Sequence, residues 1–180
     1  MEKYIREKRE LVYQGAIVSV YRDSVRVPKG NLAKWDFIGH KGAAAALPVT
    51  EEGKIILVKQ WRNALDRFTY EIPAGGKDAF DEPMEVCARR ELEEETGYVA
   101  EHMELLLSIY TTVAFCNEKI DIFLAKDLRK TSQNMDEDED IEIFEFELSD
   151  LLAMIRRGEL QDSKTVSAIL AYDAYCREHA

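Results

Sequence analysis

Glu91, Glu94 and Glu95 fall within a short run, Glu91-Leu-Glu-Glu-Glu95, between a helix-opening Asp81-Glu82-Pro83 and a helix-closing Gly97. Proline suits a helix's first position because the N–H it lacks would have no partner there. Glycine suits the stop because it reaches positive φ without strain. At roughly 100° per residue, Met84, Cys87, Ala88 and Leu92 share one face of the predicted helix 83–96, and Glu91 and Glu95 fall inside the same apolar arc. Two like charges one turn apart on a buried face are costly unless a cation pairs them. Glu93 points the other way and fits a solvated face, whereas Glu94 sits at the arc's edge four residues after Arg90, where a salt bridge can orient it. Three carboxylates within two turns suit a hard divalent cation, Mg²⁺ or Mn²⁺, which prefers oxygen ligands.

The elements that must position this helix can be read on either side of it. Residues 13–21 and 23–28 are short and β-branched, the turn Pro28-Lys-Gly-Asn31 follows, and a third alternating piece spans 33–40. Together they predict a small antiparallel subdomain over residues 1–41, with the main domain over 42–180. Strands at 43–49 and 54–60 flank Thr50-Glu-Glu-Gly53 and read as a hairpin. Strands at 106–114 and 120–125 follow the helix, and a strand at 141–148 precedes helices 149–157 and 163–178, with Ser149 and Asp162 or Ser163 as N-caps. The pattern is mixed α/β, with strands first, one helix in the middle and two at the end.

Composition narrows the function classes. The 180 residues carry a formal charge of −11, and 46% are hydrophobic, enough for one domain or a domain with an extension. Such an acidic chain lacks the basic surface that a nucleic-acid backbone requires. The longest apolar stretch, 42–49, is too short to span a bilayer, and the N-terminus lacks an apolar signal region, so a soluble, cytoplasmic protein is expected. Cys87, Cys116 and Cys176 are odd in number and contain no CxxC pair, which argues against disulfides and structural zinc. The acid is concentrated: residues 91–95 hold four acids, residues 136–150 hold nine, neither segment holds a Lys or Arg, and the rest of the chain is near neutral.

The segment Gly76-x5-Glu82-x7-Arg90-Glu91-Leu92-x-Glu94-Glu95-x-Gly97-Tyr98 resembles the Nudix box, GX5EX7REUXEEXGU, at all nine constrained positions across 23 residues. The resemblance implies an α/β/α sandwich with a mixed sheet, in which the box forms a loop–helix–loop. It also implies metal-dependent hydrolysis of a nucleoside diphosphate linked to another group. Gln60-Trp-Arg-Asn, Tyr70-Glu-Ile-Pro-Ala-Gly75 and Phe115-Cys-Asn-Glu-Lys119 are similar to the ADP-ribose pyrophosphatase branch across most of the chain. That branch implies a nucleotide-sugar substrate and a homodimer formed through the N-terminal strands. Val113 stands where the branch often has proline, and Thr112-Val-Ala-Phe115 where it commonly has Ser-Pro-Gly-Phe, which leaves GDP-mannose or a dinucleotide as alternative substrates. A non-catalytic nucleotide-sensing module is an alternative of another class, although sensors can lose catalytic carboxylates and this box retains them all.

Site residues follow from the same resemblance. Glu91 and Glu95 are expected metal ligands together with the Gly75 carbonyl. Glu94 is a third ligand or a supporting carboxylate, oriented by Arg90. The acidic stretch 136–142 is expected to supply a base, Glu137, and an additional ligand, Glu139. An EF-hand reading of that stretch fails at Ile141, where the calcium loop needs glycine. Arg62 is expected to contact phosphate bidentately or lie against the base. Lys77 is a further substrate-binding candidate, Trp35 and Trp61 offer stacking surfaces, and Glu118 is expected to accept from ribose hydroxyls.

Overall fold

The structure, a computed structural model, describes residues 2–16, 18–134 and 140–179. It divides into two compact units, one holding Met1–Gly42 and Tyr110–Lys119, the other Ala43–Ile109 and Ile120–Ala180.

In the first unit, β1 (Ile5–Gln14), β2 (Ser19–Arg26) and β3 (Leu32–Gly39) form an antiparallel sheet in that order. The sequence pattern expects strands at 13–21 and 23–28. β1 instead ends at Gln14, the Gly15 N–H donates to the Val18 carbonyl, and β2 runs unbroken through 19–26. β1 escapes a hydrophobicity reading because charge holds it. Arg9 stands directly opposite Asp23 and donates to both its carboxylate oxygens at 2.7 and 2.6 Å, while its guanidinium lies 3.7 Å above the Phe37 ring. Arg26 and Glu7 add a second cross-strand pair at 2.5 Å. The segment 110–119 joins this unit through the Ile38 N–H, which donates to the Phe115 carbonyl at 2.7 Å.

The second unit contains two sheets. β4 (Ala43–Pro48) lies between β7 (Ala74–Gly76), which is antiparallel to it, and β9 (Lys119–Lys130), which is parallel, with β8 (Tyr98–Tyr110) beyond β9. β5 (Ile55–Arg62) lies between β10 (Glu142–Phe146) and β6 (Arg67–Glu71), antiparallel to both. The turn at 50–53 forms, with Gly53 at φ +83°, but the expected hairpin does not follow it. After a single bridge, Val49 to Ile55, β4 and β5 part into different sheets, because both edges of each strand are taken by other partners.

The alternation of β4 sets the layers. Ala43, Ala45 and Leu47 face a core with Ile55, Leu57, Ile122, Leu124 and the helices α2 (Leu148–Arg157) and α3 (Ser163–Glu178). Ala44 and Ala46 face the opposite way, against Cys87, Ala88 and Leu92 of α1 (Met84–Thr96). Alanines on this face let α1 approach the sheet closely. Pro83 is the N-cap of α1 and not its first helical residue, so the helix begins one position later than its composition suggests. The α2 N-cap is Glu147 where Ser149 was expected, and Asp162 caps α3 by accepting from the Thr165 N–H. No helix among the described residues is long and apolar enough to cross a membrane.

A buried charge cluster joins β6 to α3. Glu71 is 2% exposed and accepts from Arg62 Nε and Nη2 at 2.7 and 2.6 Å, Thr69 Oγ1 at 2.6 Å and Lys164 Nζ at 2.5 Å. Burial pushes this carboxyl up, but Arg62, Lys164 and Thr69 together outweigh it and bring its pKa down from 4.5 to about 2. Beside the cluster, the Ile72 N–H donates to Thr165 Oγ1 at 2.9 Å.

Because the folded pKa lies below the unfolded one, Glu71's contribution to stability is complete above pH 4.5 and is lost as pH falls through about 2. That contribution is roughly 3 kcal/mol. Urea unfolding across this window should show a steeper acid loss in the wild type than in Glu71→Gln, and parallel curves would contradict the linkage. Gly97 closes α1 at φ +67°, and a Cβ there would lie 2.9 Å from the Gln133 backbone nitrogen. Gly97→Ala should therefore cost about 1–2 kcal/mol in denaturant unfolding, and a neutral substitution would show that the 132–133 backbone yields freely.

Candidate active site

The box opens with a loop that is tied down by its own side chains. Glu82 Oε2 accepts from the Asp78 N–H at 2.8 Å, and Lys77 Nζ donates to the Phe80 carbonyl. Arg90 then gathers the loop and the helix around one guanidinium. Its Nη1 donates to Glu91 Oε1 at 2.7 Å and Glu94 Oε2 at 3.0 Å, its Nη2 donates to the Gly76 carbonyl at 3.0 Å, and its Nε lies 3.4 Å from Glu82 and 3.2 Å from Asp78. Burial pulls the Arg90 pKa down, but Glu91, Glu82 and Glu94 raise it further than burial lowers it, so this cation is permanent.

The two glutamates on the apolar arc are held from the β7 side. Glu95, 4% exposed, accepts from the Ala74 N–H at 3.1 Å through Oε2. Glu91 lies against Gly75 so closely that a Cβ at that position would fall 2.2 Å from its carboxylate. A side chain there would displace the Glu91 carboxylate, so the side chain that Gly75 lacks is the cradle for Glu91. Cys87 Sγ donates to the Gly75 and Gly76 carbonyls at 3.6 and 3.4 Å, fixing that backbone from below, and burial pushes its thiol up to about 11.

Gly75, Arg90, Glu91, Glu94, Glu95 and Arg62 line one cavity of about 290 Å³. Its donor set of carboxylate and backbone oxygens is of the type that Mg²⁺ or Mn²⁺ takes. Among the described residues no three acidic, His or Cys side chains are already gathered at metal-binding distances, and Arg90 bridges Glu91 and Glu94 as their compensating cation. The residues fit a divalent ion by chemistry, and Glu91, Glu95, Glu94 and the Gly75 carbonyl are those that could hold one.

The other sequence candidates separate. Arg62 lines the cavity, but its Nε–Nη2 edge is bound by Glu71, so that edge is closed to the bidentate phosphate contact expected of it. The reason is that a buried carboxylate requires a cation. Trp61 alternates with Gln60 and Arg62 along β5, so it faces away from the cavity that they line and packs edge-on against Phe68 at 5.3 Å. Lys77 is outside the cavity lining and lies 5.7 Å from the Phe80 ring. Trp35 and Glu118 belong to the first unit, Trp35 beside Tyr4 at 5.6 Å between ring centroids. Glu118 accepts from Thr111 Oγ1 at 2.8 Å and lies 3.4 Å from His40 Nε2. Glu137 and Glu139 lie outside the described residues.

Sequence reasoning passed over Glu71, Gln60, Asn134 and Asp78, which support or line the cavity. For Glu71 the signal was present: an acid between Tyr70 and Ile72, in a strand of a core hairpin, requires a buried partner.

Comparison with known proteins places this geometry. The NUDIX domain model matches residues 39–168. The chain is 41% identical over 163 residues to the ADP-ribose pyrophosphatase of Bacillus subtilis (strain 168), covering 89% of this chain and 88% of that protein. It is 40% identical over 164 residues to the methanol dehydrogenase activator of Bacillus methanolicus, covering 90% and 88%. A solved structure described as the crystal structure of ADP compounds hydrolase shares the fold at a TM-score of 0.89, with 19% identity and coverage of 100% of this chain and 97% of that one. With a matching domain model over most of its length and a full box folded into the loop, helix and glycine cradle described above, the chain belongs to the Nudix family.

Proposed function

We propose that the protein hydrolyses the pyrophosphate bond of ADP-ribose, or of a related ADP-sugar, giving AMP and ribose 5-phosphate with Mg²⁺ as cofactor and Mn²⁺ as a substitute. The observation that carries this reading is the convergence of Glu91 and Glu95 on the Ala74–Gly75 backbone, in a chain 41% identical to an ADP-ribose pyrophosphatase. Glu91, Glu95 and the Gly75 carbonyl are the assigned metal ligands, with Glu94 in support. A bound divalent ion would neutralise phosphate oxygens and lower the pKa of a water.

The chain's own groups prepare that chemistry. Arg90 restrains Glu91 and Glu94 against mutual repulsion, and the Ala74 N–H aims Glu95. Gly75 leaves room for Glu91 beside its own carbonyl. Glu137 is the assigned base and Glu139 an additional ligand. The N-terminal strands are assigned to homodimer formation, and the compartment to the cytoplasm. A second reading, activation of methanol dehydrogenase, is motivated by the 40% identity to the Bacillus methanolicus activator. Adding the protein to that dehydrogenase and measuring its turnover tests it.

Incubation with Mg²⁺ and a panel of ADP-ribose, GDP-mannose, NADH and diadenosine polyphosphates should give the highest kcat/KM on ADP-ribose. A clear preference for GDP-mannose or a dinucleotide would reject the substrate assignment. Glu95→Gln should reduce kcat by at least about 10²-fold, since even supporting partners of metal ligands are worth 10–100-fold, with little change in Tm. Full retained activity would remove Glu95 from the metal set. Gly75→Ala should leave the protein folded but drive the Glu91 carboxylate from its cradle, lowering kcat by roughly 10²-fold and weakening Mn²⁺ binding measured by EPR titration. Unchanged Mn²⁺ affinity would separate the cradle from the metal site.

A further inference from the structure

The carboxylate cavity is lined by two cations among the described residues, and they are not equivalent. Arg90 is committed on every side, to Glu91, Glu94, Glu82, Asp78 and the Gly76 carbonyl. Arg62 is committed along one edge only: Nε and Nη2 donate to Glu71, and Nη1 has no hydrogen-bond partner among the described residues. Glu71 is itself immobilised by Thr69 Oγ1 at 2.6 Å and Lys164 Nζ at 2.5 Å, on a side chain 3% exposed. The guanidinium is therefore fixed from behind while the side chain as a whole remains 41% exposed.

We propose that Glu71 is a positioning residue, which anchors Arg62 so that its Nη1 donates to a phosphate oxygen of the pyrophosphate bound in this cavity. The inference rests on the pyrophosphatase reading and extends it to a residue outside the box. An arginine clamped along one edge gives up its rotamer freedom when the protein folds, so that loss does not recur on binding. A fork held by a carboxylate also presents its free donor in one plane, which a lysine ammonium on a flexible stem does not. The competing explanation is that Glu71 only stabilises the junction of β6 and α3, in which case disturbing it lowers stability and leaves ligand affinity alone.

Glu71→Asp separates the two, because it keeps the charge and withdraws the carboxylate by one methylene. With saturating Mg²⁺, the KM for ADP-ribose should rise about tenfold while kcat stays within about threefold, the signature of lost ground-state binding. The Kd of inorganic pyrophosphate with Mg²⁺, measured by calorimetry, should rise by a similar factor. Arg62→Lys should do the same, and the double variant should be no worse than either single one, since both act through one contact. Ile169→Val, buried on α3 and absent from the cluster, should lower Tm by a few degrees and leave both constants at wild-type values. Should Glu71→Asp fail to fold, Thr69→Val removes one donor to Glu71, keeps its charge, and should raise both constants by about threefold.

Wild-type KM and pyrophosphate Kd in Glu71→Asp, with a lowered Tm, would reduce Glu71 to a structural anchor. No effect of Arg62→Lys on either constant would remove Arg62 from the phosphate, and absence of pyrophosphate binding by the wild type would overturn the positioning role outright. If the wild type does not turn over ADP-ribose yet Glu71→Asp weakens pyrophosphate binding, only the substrate assignment falls.

Discussion

Repulsion among neighbouring carboxylates is the constraint around which the second unit is arranged. Glu91, Glu94 and Glu95 sit within one and a half turns of α1, with Glu82 and Asp78 on the loop before it, and Arg90 alone touches four of these five acids. Arginine suits the task where lysine would not. It offers five donors in a plane, which lets Arg90 divide them among Glu82, Glu91, Glu94 and the Gly76 carbonyl at once. Helix, loop and β7 are thereby joined by one side chain, and removing it would release like charges at a half-buried site.

The sheet beneath the helix is built to permit this closeness. β4 is a run of alanines, Ala43 to Ala46, ending in Leu47 and Pro48, and all six residues are buried. Bulkier residues at 44 and 46 would lift α1 away from β7, and Glu91 would lose contact with Gly75 and Glu95 would lose the Ala74 N–H. The opposite face of the same strand, with Ile55, Leu57 and Ile122, supplies the larger apolar contacts. Stability and site geometry are thus assigned to opposite faces of one strand, which relieves the conflict between a tightly filled core and an open, charged cleft.

The sequence revealed those parts of the molecule in which chemistry and periodicity agree. α1 was legible because Pro83 and Gly97 bracket a pattern whose apolar arc contains two acids, and burial of Glu95 follows directly from that arc. β1 was not, because its stability comes from Arg9–Asp23 and Glu7–Arg26 pairs that involve residues far along the chain. The turn at 50–53 was read correctly as a turn and wrongly as a hairpin, since local residues specify a reversal but not which strands will compete for the edges. Arg62 was singled out for its charge, yet what fixes its orientation is Glu71, nine residues on and opposite in charge, a pairing visible only once β5 and β6 are laid side by side. Trp61 shows the reverse error: its chemistry suited stacking, and the two-residue period of its strand turned it away from the cavity lined by Gln60 and Arg62.

The same pairing decides the charge of the cavity. Glu71 pairs with Arg62, and Arg90 cannot balance Glu91, Glu94 and Asp78 alone, so with Glu95 the lining remains negative. A pyrophosphate would be repelled from such a surface, whereas a divalent cation would be drawn to it. An acidic lining with one anchored arginine at its margin therefore favours a divalent cation over an anion as its first occupant, and a bound cation would reverse the local field. Full neutralisation by a third arginine would abolish that preference, and the chain's formal charge of −11 is in part the consequence of leaving the site in deficit.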